Sequence, residues 1–179
     1  DMSFNEFEIV TMLKEYSDEN NLKLNIEELS KEIYKFTSGY PFLVSRICKI
    51  IDEDILPDRN LEWRIEHIHK AVKILIEEEN TLFDDLIKNL ENNKDLYEYI
   101  YNLIVLNIPL TFNISSPVIN MGVMFGYLSK NSDNNTIISN KIIREVIYNY
   151  MISKTEVINM NKYNYKNNFL TDNNGLNME

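Results

Sequence analysis

The chain has 179 residues, of which 44% are hydrophobic, with only four Gly, four Pro and one Cys. A chain of this length can bury about 70% of its unfolded surface, which argues against disorder throughout, and so few turn formers favour long helices over a strand-rich design. The net charge of -10 sits in the first half, where residues 1–93 carry 11 Lys and Arg against 21 Asp and Glu, which disfavours nucleic-acid backbones or anionic membranes as partners there.

Ser3 with Glu6 forms a capping box and predicts a first helix near 4–17, with Phe7, Val10, Leu13 and Tyr16 on its inner stripe. After a polar break at Asp18 to Asn21, Asn25 with Glu28 opens a second helix carrying Ile26, Leu29, Ile33 and Phe36. Gly39 suits the left-handed residue that ends this helix, and Pro41 suits the first turn of the next, where its missing N–H costs nothing. Gly39-Tyr40-Pro41 is therefore a stiff corner. The helix beyond it presents Phe42, Leu43, Ile47, Ile50 and Ile51, runs to about Asp54 and is stopped by Pro57. A fourth helix over about 61–79 places Leu61, Ile65, Ile68, Val72, Leu75 and Ile76 on one side, and a fifth from Thr81 turns Leu82, Phe83, Leu86, Ile87 and Leu90 inward. Residues 1–91 read as a helical bundle.

The polar stretch Asn89 to Asp95 reads as a domain joint. Leu96 to Leu106 form a helix, Ile108 to Ile114 with Pro109 an irregular segment, and Ser116-Pro117 starts a helix that closes at Gly126. Tyr127-Leu128-Ser129 and Thr136 to Ser139 bracket the turn-rich Lys130 to Asn135 as a β-hairpin. Asn140 caps a last helix through about Ser153, with Ile142, Ile143, Val146, Ile147 and Tyr150 on its apolar side. Helix, helix, hairpin, helix over 92–153 is the outline of a winged helix, and the Asn-rich 154–179 reads as a polar linker or extended tail. The expected class is mainly α: a helical bundle followed by a winged helix with a small β-hairpin.

Catalytic motifs are scarce. No Gly-rich loop leads into Lys-Ser or Lys-Thr, so the chain holds no P-loop of its own. His67 and His69 diverge by about 200° on a helix and make a poor metal pair. A ring contact with Trp63, one turn before, accounts for His67. Glu77-Glu78-Glu79 and Asp84-Asp85 are sequential rather than face-matched, which fits a solvated helix junction better than an acid–base pair. The helix that would enter a DNA groove, Pro117 to Phe125, has no Lys or Arg, so duplex DNA is disfavoured. Gly122 and Gly126 mark close packing and a helix end. No apolar run is long enough to span a bilayer and no leader opens the chain, so a soluble cytoplasmic protein is expected, Cys48 being its single thiol.

Thr37-Ser38-Gly39-Tyr40-Pro41-Phe42-Leu43-Val44, followed by Arg46, Cys48 and Ile51-Asp52, resembles the lid region of AAA-like and STAND-type P-loop ATPases, which share a Gly-x-Pro motif. Met124 to Ser129, then Ile137 to Asn140 leading into Ile142 to Tyr150, resembles the C-terminal winged helix of the same proteins. The resemblance implies that ATP or ADP lies between an upstream P-loop domain and the lid, with Tyr40 and Pro41 flanking the adenine and Gly39 setting their position. Arg46 is then either a sensor-type arginine reaching the phosphates or a plain surface residue. The Met-His-Asp motif of some relatives falls at Ile138-Ser139-Asn140, where Asn140 keeps a capping role without a charged sensor. Relatives often continue into a restriction-nuclease-like domain, and the polar tail fits a linker toward one, although no Glu-x-Lys pair of that nuclease occurs here.

The function expected is a non-catalytic lid and winged-helix portion of a larger AAA-like ATPase, coupling nucleotide state to domain arrangement. No catalytic residue, metal or cofactor is assigned to the chain itself. A free-standing winged-helix regulator of DNA or a protein partner, and a helical scaffold without ligand, are the alternatives.

Overall fold

Asn5 and Glu8 cap each other: the Asn5 side chain accepts the Glu8 N–H at 3.0 Å while the Glu8 carboxylate accepts the Asn5 N–H at 2.8 Å. Helix α1 (Glu6–Glu19) therefore starts two residues later than the Ser3–Glu6 box predicts. The reason is tertiary, since the Phe4 N–H is spent on the Gly39 carbonyl at 2.8 Å and the strand-like entry must stay out of the helix. The inner face of α1 is Ile9, Leu13 and Ser17, and Phe7 is 76% exposed rather than part of the stripe. Two residues apart on a helix point nearly opposite ways, so Ile9 inside puts Phe7 outside.

The computed structural model describes residues 3–57 and 62–169, with 158–169 as backbone only. Helices α2 (Ile26–Thr37) and α3 (Pro41–Ile50) meet at the expected corner, and Leu29, Ile33, Leu43, Val44 and Ile47 are buried. Asn25 does not cap the α2 backbone; its side chain donates to Glu28 at 2.6 Å instead. Phe42 is 42% exposed, so the inner face of α3 begins at Leu43. Beyond Ile50 the chain widens into a π turn (Ile51–Ile55), closed by the Leu56 N–H on the Ile51 carbonyl at 2.9 Å.

Helix α4 (Ile65–Glu77) buries Ile68, Ala71, Val72 and Leu75; Leu61, expected on the same face, lies outside the described residues. Trp63 is buried just ahead of it, its ring meeting Tyr16 at 5.1 Å rather than His67. His67 Nδ1 accepts the Arg64 N–H at 3.1 Å and so closes the start of α4. Helix α5 (Thr81–Asn92) is capped by Asn80, whose side chain accepts the Phe83 N–H at 3.0 Å. Helix α6 (Lys94–Ile104) follows after Asn93 alone, so the polar stretch expected as a joint is helical on both sides of one residue. Asn93 serves both ends, donating its side-chain amide to the Asn89 carbonyl at 2.7 Å and accepting the Tyr97 N–H at 2.9 Å.

Helix α7 (Pro117–Met124) packs on α6 and on β1 (Leu128–Lys130), which pairs antiparallel with β2 (Thr136–Ile138), Leu128 opposite Ile138. A Cβ on Gly122 would lie 2.4 Å from a Leu128 methyl, so glycine permits this approach. The segment read as irregular joins the hairpin: the Thr136 N–H donates to the Leu110 carbonyl at 2.7 Å and the Phe112 N–H to the Asn134 carbonyl at 2.9 Å.

Helix α8 (Lys141–Phe169) runs well beyond the Ser153 expected, because no Gly or Pro interrupts it, and the rest of the tail lies outside the described residues. Its Ile142, Ile143, Val146, Ile147 and Met151 are buried against α2, α4, α5 and α6. A single apolar cluster accordingly extends from Ile9 to Met151. The Tyr127 hydroxyl, fully buried, donates to the Leu86 carbonyl of α5 at 2.5 Å and ties the hairpin to the bundle. Among the described residues no helix is long and apolar enough to cross a membrane.

Candidate functional site

The corner is built by hydrogen bonds that end α2 and start α3 almost without a loop. Ser38 at φ 46 donates its N–H to the Tyr34 carbonyl at 2.7 Å, and Gly39 at φ 77 continues the left-handed turn. The Thr37 hydroxyl donates to the Ile33 carbonyl at 2.9 Å and accepts the Gly39 N–H at 3.1 Å, while the Tyr40 N–H donates to the Thr37 carbonyl at 3.0 Å. Pro41 then takes the first position of α3, with Tyr40 as the extended residue before it.

Gly39 is buried, and a Cβ there would come within 1.7 Å of the Phe4 carbonyl oxygen. The N-terminal segment thus clamps the back of the corner. The front stays partly open, with Tyr40 and Pro41 half-buried beside the exposed Phe42. Arg46 is engaged: its guanidinium donates to the Glu78 carboxylate at 2.6, 3.0 and 3.2 Å, both side chains being largely covered. Those hydrogen bonds hold the guanidinium still more firmly in its charged form.

Ser139 and Asn140 lie at the other end of the chain's path. The Ser139 hydroxyl donates to the Gly126 carbonyl at 2.5 Å, and the buried Asn140 side chain accepts the Ile143 N–H at 2.9 Å as the cap of α8. Phe36, one turn before the corner, connects the two places, because the Lys141 ammonium sits 5.7 Å from its ring centroid. The His69 ring meets the same Phe36 edge-on at 5.6 Å, and its Nε2 bonds Glu32 at 2.8 Å. Desolvation pushes the Glu32 carboxyl up, but hydrogen bonds from Lys35 and His69 together outweigh it and leave the group below its ordinary value. The two histidines therefore serve different partners. Burial, with the Asp52 charge nearby, pushes the Cys48 thiol up to about 12, which keeps it protonated and a poor nucleophile at neutral pH.

A cavity of about 590 Å³ opens between α4 and the start of α8, with Phe36 on its wall. Lys141 and Arg144, three apart on one helix, were the only local sign of it.

The fold so defined is a mainly α-helical one with a small antiparallel hairpin. No family model matches the chain, and no curated protein does. Among solved structures the fold is similar to that of the Walker-type ATPase paby2304 of Pyrococcus abyssi, with a TM-score of 0.52 and 15% sequence identity over 82% of this chain. The match covers 42% of that ATPase, so the chain spans less than half its length.

Proposed function

We propose that this chain is the lid and winged-helix portion of a larger P-loop ATPase, non-catalytic by itself, in which the Gly39-Tyr40-Pro41 corner faces the adenine and reports nucleotide state to the rest of the fold. The observation that carries the reading is the likeness in fold to part of a Walker-type ATPase in a chain that holds no P-loop. The local geometry supports it. A corner clamped from behind by Phe4 and half-open in front at Tyr40 and Pro41 is a stiff surface for a flat base, and aromatic stacking there is worth about 1 kcal/mol. The Arg46–Glu78 pair favours a packing role for Arg46 over a phosphate sensor, since reaching a phosphate would require breaking a largely buried ion pair.

The test is made on the longer protein encoded by the reading frame that contains this chain. It is expected to carry a Gly-Lys-Thr or Gly-Lys-Ser loop upstream and to bind ATP. Tyr40→Ala is expected to raise the Kd for ATP about fivefold to tenfold, as follows from the loss of one stacking contact. Unchanged ATP affinity in both Tyr40→Ala and Pro41→Ala, or no such loop upstream, removes the lid reading.

A further inference from the structure

The cavity between α4 and the start of α8 has an apolar interior and a cationic rim. Phe36, Val72, Ile76 and Ile142 supply the apolar wall, and Lys73, Lys141 and Arg144 stand around it. None of these three cations makes an ion pair with a carboxylate among the described residues. Glu77 and Glu145 also line the cavity, and the Glu32-bonded His69 completes its edge, so the ionised side chains on the lining sum to one excess positive charge. The positive end of the α8 dipole adds to it, since Lys141 and Ile142 are the first residues of that helix.

From this arrangement we infer that the cavity is a binding site for a small aromatic anion, a flat ring carrying a phosphate, sulfonate or carboxylate. Its volume lies within the range of sites that enclose ligands of this size, and its mix of apolar wall and few charged groups is the composition such sites have. Lys35 and Lys141 both lie 5.7 Å from the Phe36 ring centroid, so the apolar surface left to a ligand ring is that of Val72, Ile76 and Ile142, from which its charged substituent reaches Lys141, with Arg144 one turn along the same helix. An anion there meets cations that no carboxylate of the described residues pairs with. A cationic or neutral ring would leave the three cations without a counter-charge, and an inorganic anion would leave the apolar wall wet. The site excludes the Gly39-Tyr40-Pro41 corner, which does not line the cavity, and the inference stands independently of the lid reading.

The experiment uses the 179-residue chain with 1-naphthyl phosphate as probe, 1-naphthol as its neutral counterpart and inorganic phosphate as the ring-free one, followed by fluorescence titration and by amide chemical shifts. Saturable binding of 1-naphthyl phosphate is expected at least about tenfold tighter than either control, weakening with added salt. Lys141→Ala and Arg144→Ala, both at exposed positions, are each expected to weaken it about fivefold while leaving the circular dichroism unchanged, and Lys23→Ala, a remote cation, to leave it unaffected. Shifts are expected at the amides of Phe36, Val72, Ile142 and Arg144. Equal affinity for the phosphate and the naphthol, binding indifferent to both substitutions, or no saturable binding at all overturns the assignment.

Discussion

Replacing Gly39 by Ala tests the claim that the N-terminal segment and the corner form one unit. Three penalties combine. An L-residue held at φ 77 costs about 1 kcal/mol. The new Cβ, 1.7 Å from the Phe4 carbonyl oxygen, must push the segment away, and such overpacking costs about 1–3 kcal/mol. The displaced Phe4 N–H then loses the Gly39 carbonyl, a bond of 2.8 Å, at about 1 kcal/mol. Gly39→Ala is therefore expected to destabilise the chain by about 3–5 kcal/mol, a large share of the 5–15 kcal/mol that domains possess, and to lower Tm by about 10 °C. Urea denaturation gives the first number and a thermal melt the second. The decisive arm is a chain that starts at Asn5, in which no Phe4 carbonyl remains to be struck. There the same substitution should cost only the backbone part, about 1 kcal/mol. An equal penalty in the long and short chains would show that the clamp contributes nothing and that the argument from close approach is mistaken.

The Arg46–Glu78 pair should show a coupling of about 1–2 kcal/mol in a double-mutant cycle with alanine at each position, read by urea denaturation, because the contact is bidentate and largely covered; a coupling near zero would restore Arg46 as a free cation. Glu32 gives a pH signature: its folded-state pKa is depressed, so the stability it contributes is present above its ordinary value of 4.5 and is lost as pH falls through the lower folded value. Glu32→Gln should accordingly destabilise the chain at neutral pH, with the difference from wild type shrinking in acid, and a difference that does not change with pH would refute the pairing. Tyr127→Phe removes the buried hydroxyl that meets the Leu86 carbonyl and should cost about 1–2 kcal/mol, measured by denaturation, with no change in helix content.

Helix positions were readable because apolar spacing and caps are local signals, and Asn140, Pro41 and Pro117 stand where those signals put them. What escaped was set by contacts between distant parts of the chain. Ser3 and Asn5 both offer a cap three residues before a glutamate, and only the pairing of Phe4 with Gly39 selects Asn5. Phe7 and Ile9 are equally plausible inner residues until α2 packs on α1. The segment around Leu110 has no strand pattern because its bonds to Asn134 and Thr136 are made by the backbone. At the candidate site the corner itself was legible from Gly39 and Pro41, whereas the clamp behind it and the Glu78 partner of Arg46 were not. The cavity drew Lys73 from α4 and Lys141 and Arg144 from α8, and no sequence spacing connects them.

In the proposed role the moving part must be larger than a hinge within this chain. Separating the hairpin half from the bundle would strip α8 from α2, α4 and α5 and expose some of Ile142, Ile143, Val146, Ile147 and Met151 to water. Each such side chain is worth about 1.5–3 kcal/mol when buried, so the opening would cost about 10 kcal/mol, before the Tyr127–Leu86 bond is counted. A nucleotide that couples two states typically supplies about 1–3 kcal/mol of difference between them. That is too little to open this interface and enough to turn an intact body against a neighbouring domain. The single-residue link at Asn93, whose side chain closes the end of α5 and whose carbonyl accepts the first hydrogen bond of α6, points the same way, because it offers no slack for bending. In that role a lever built from this chain would swing as one piece, with no joint among the described residues.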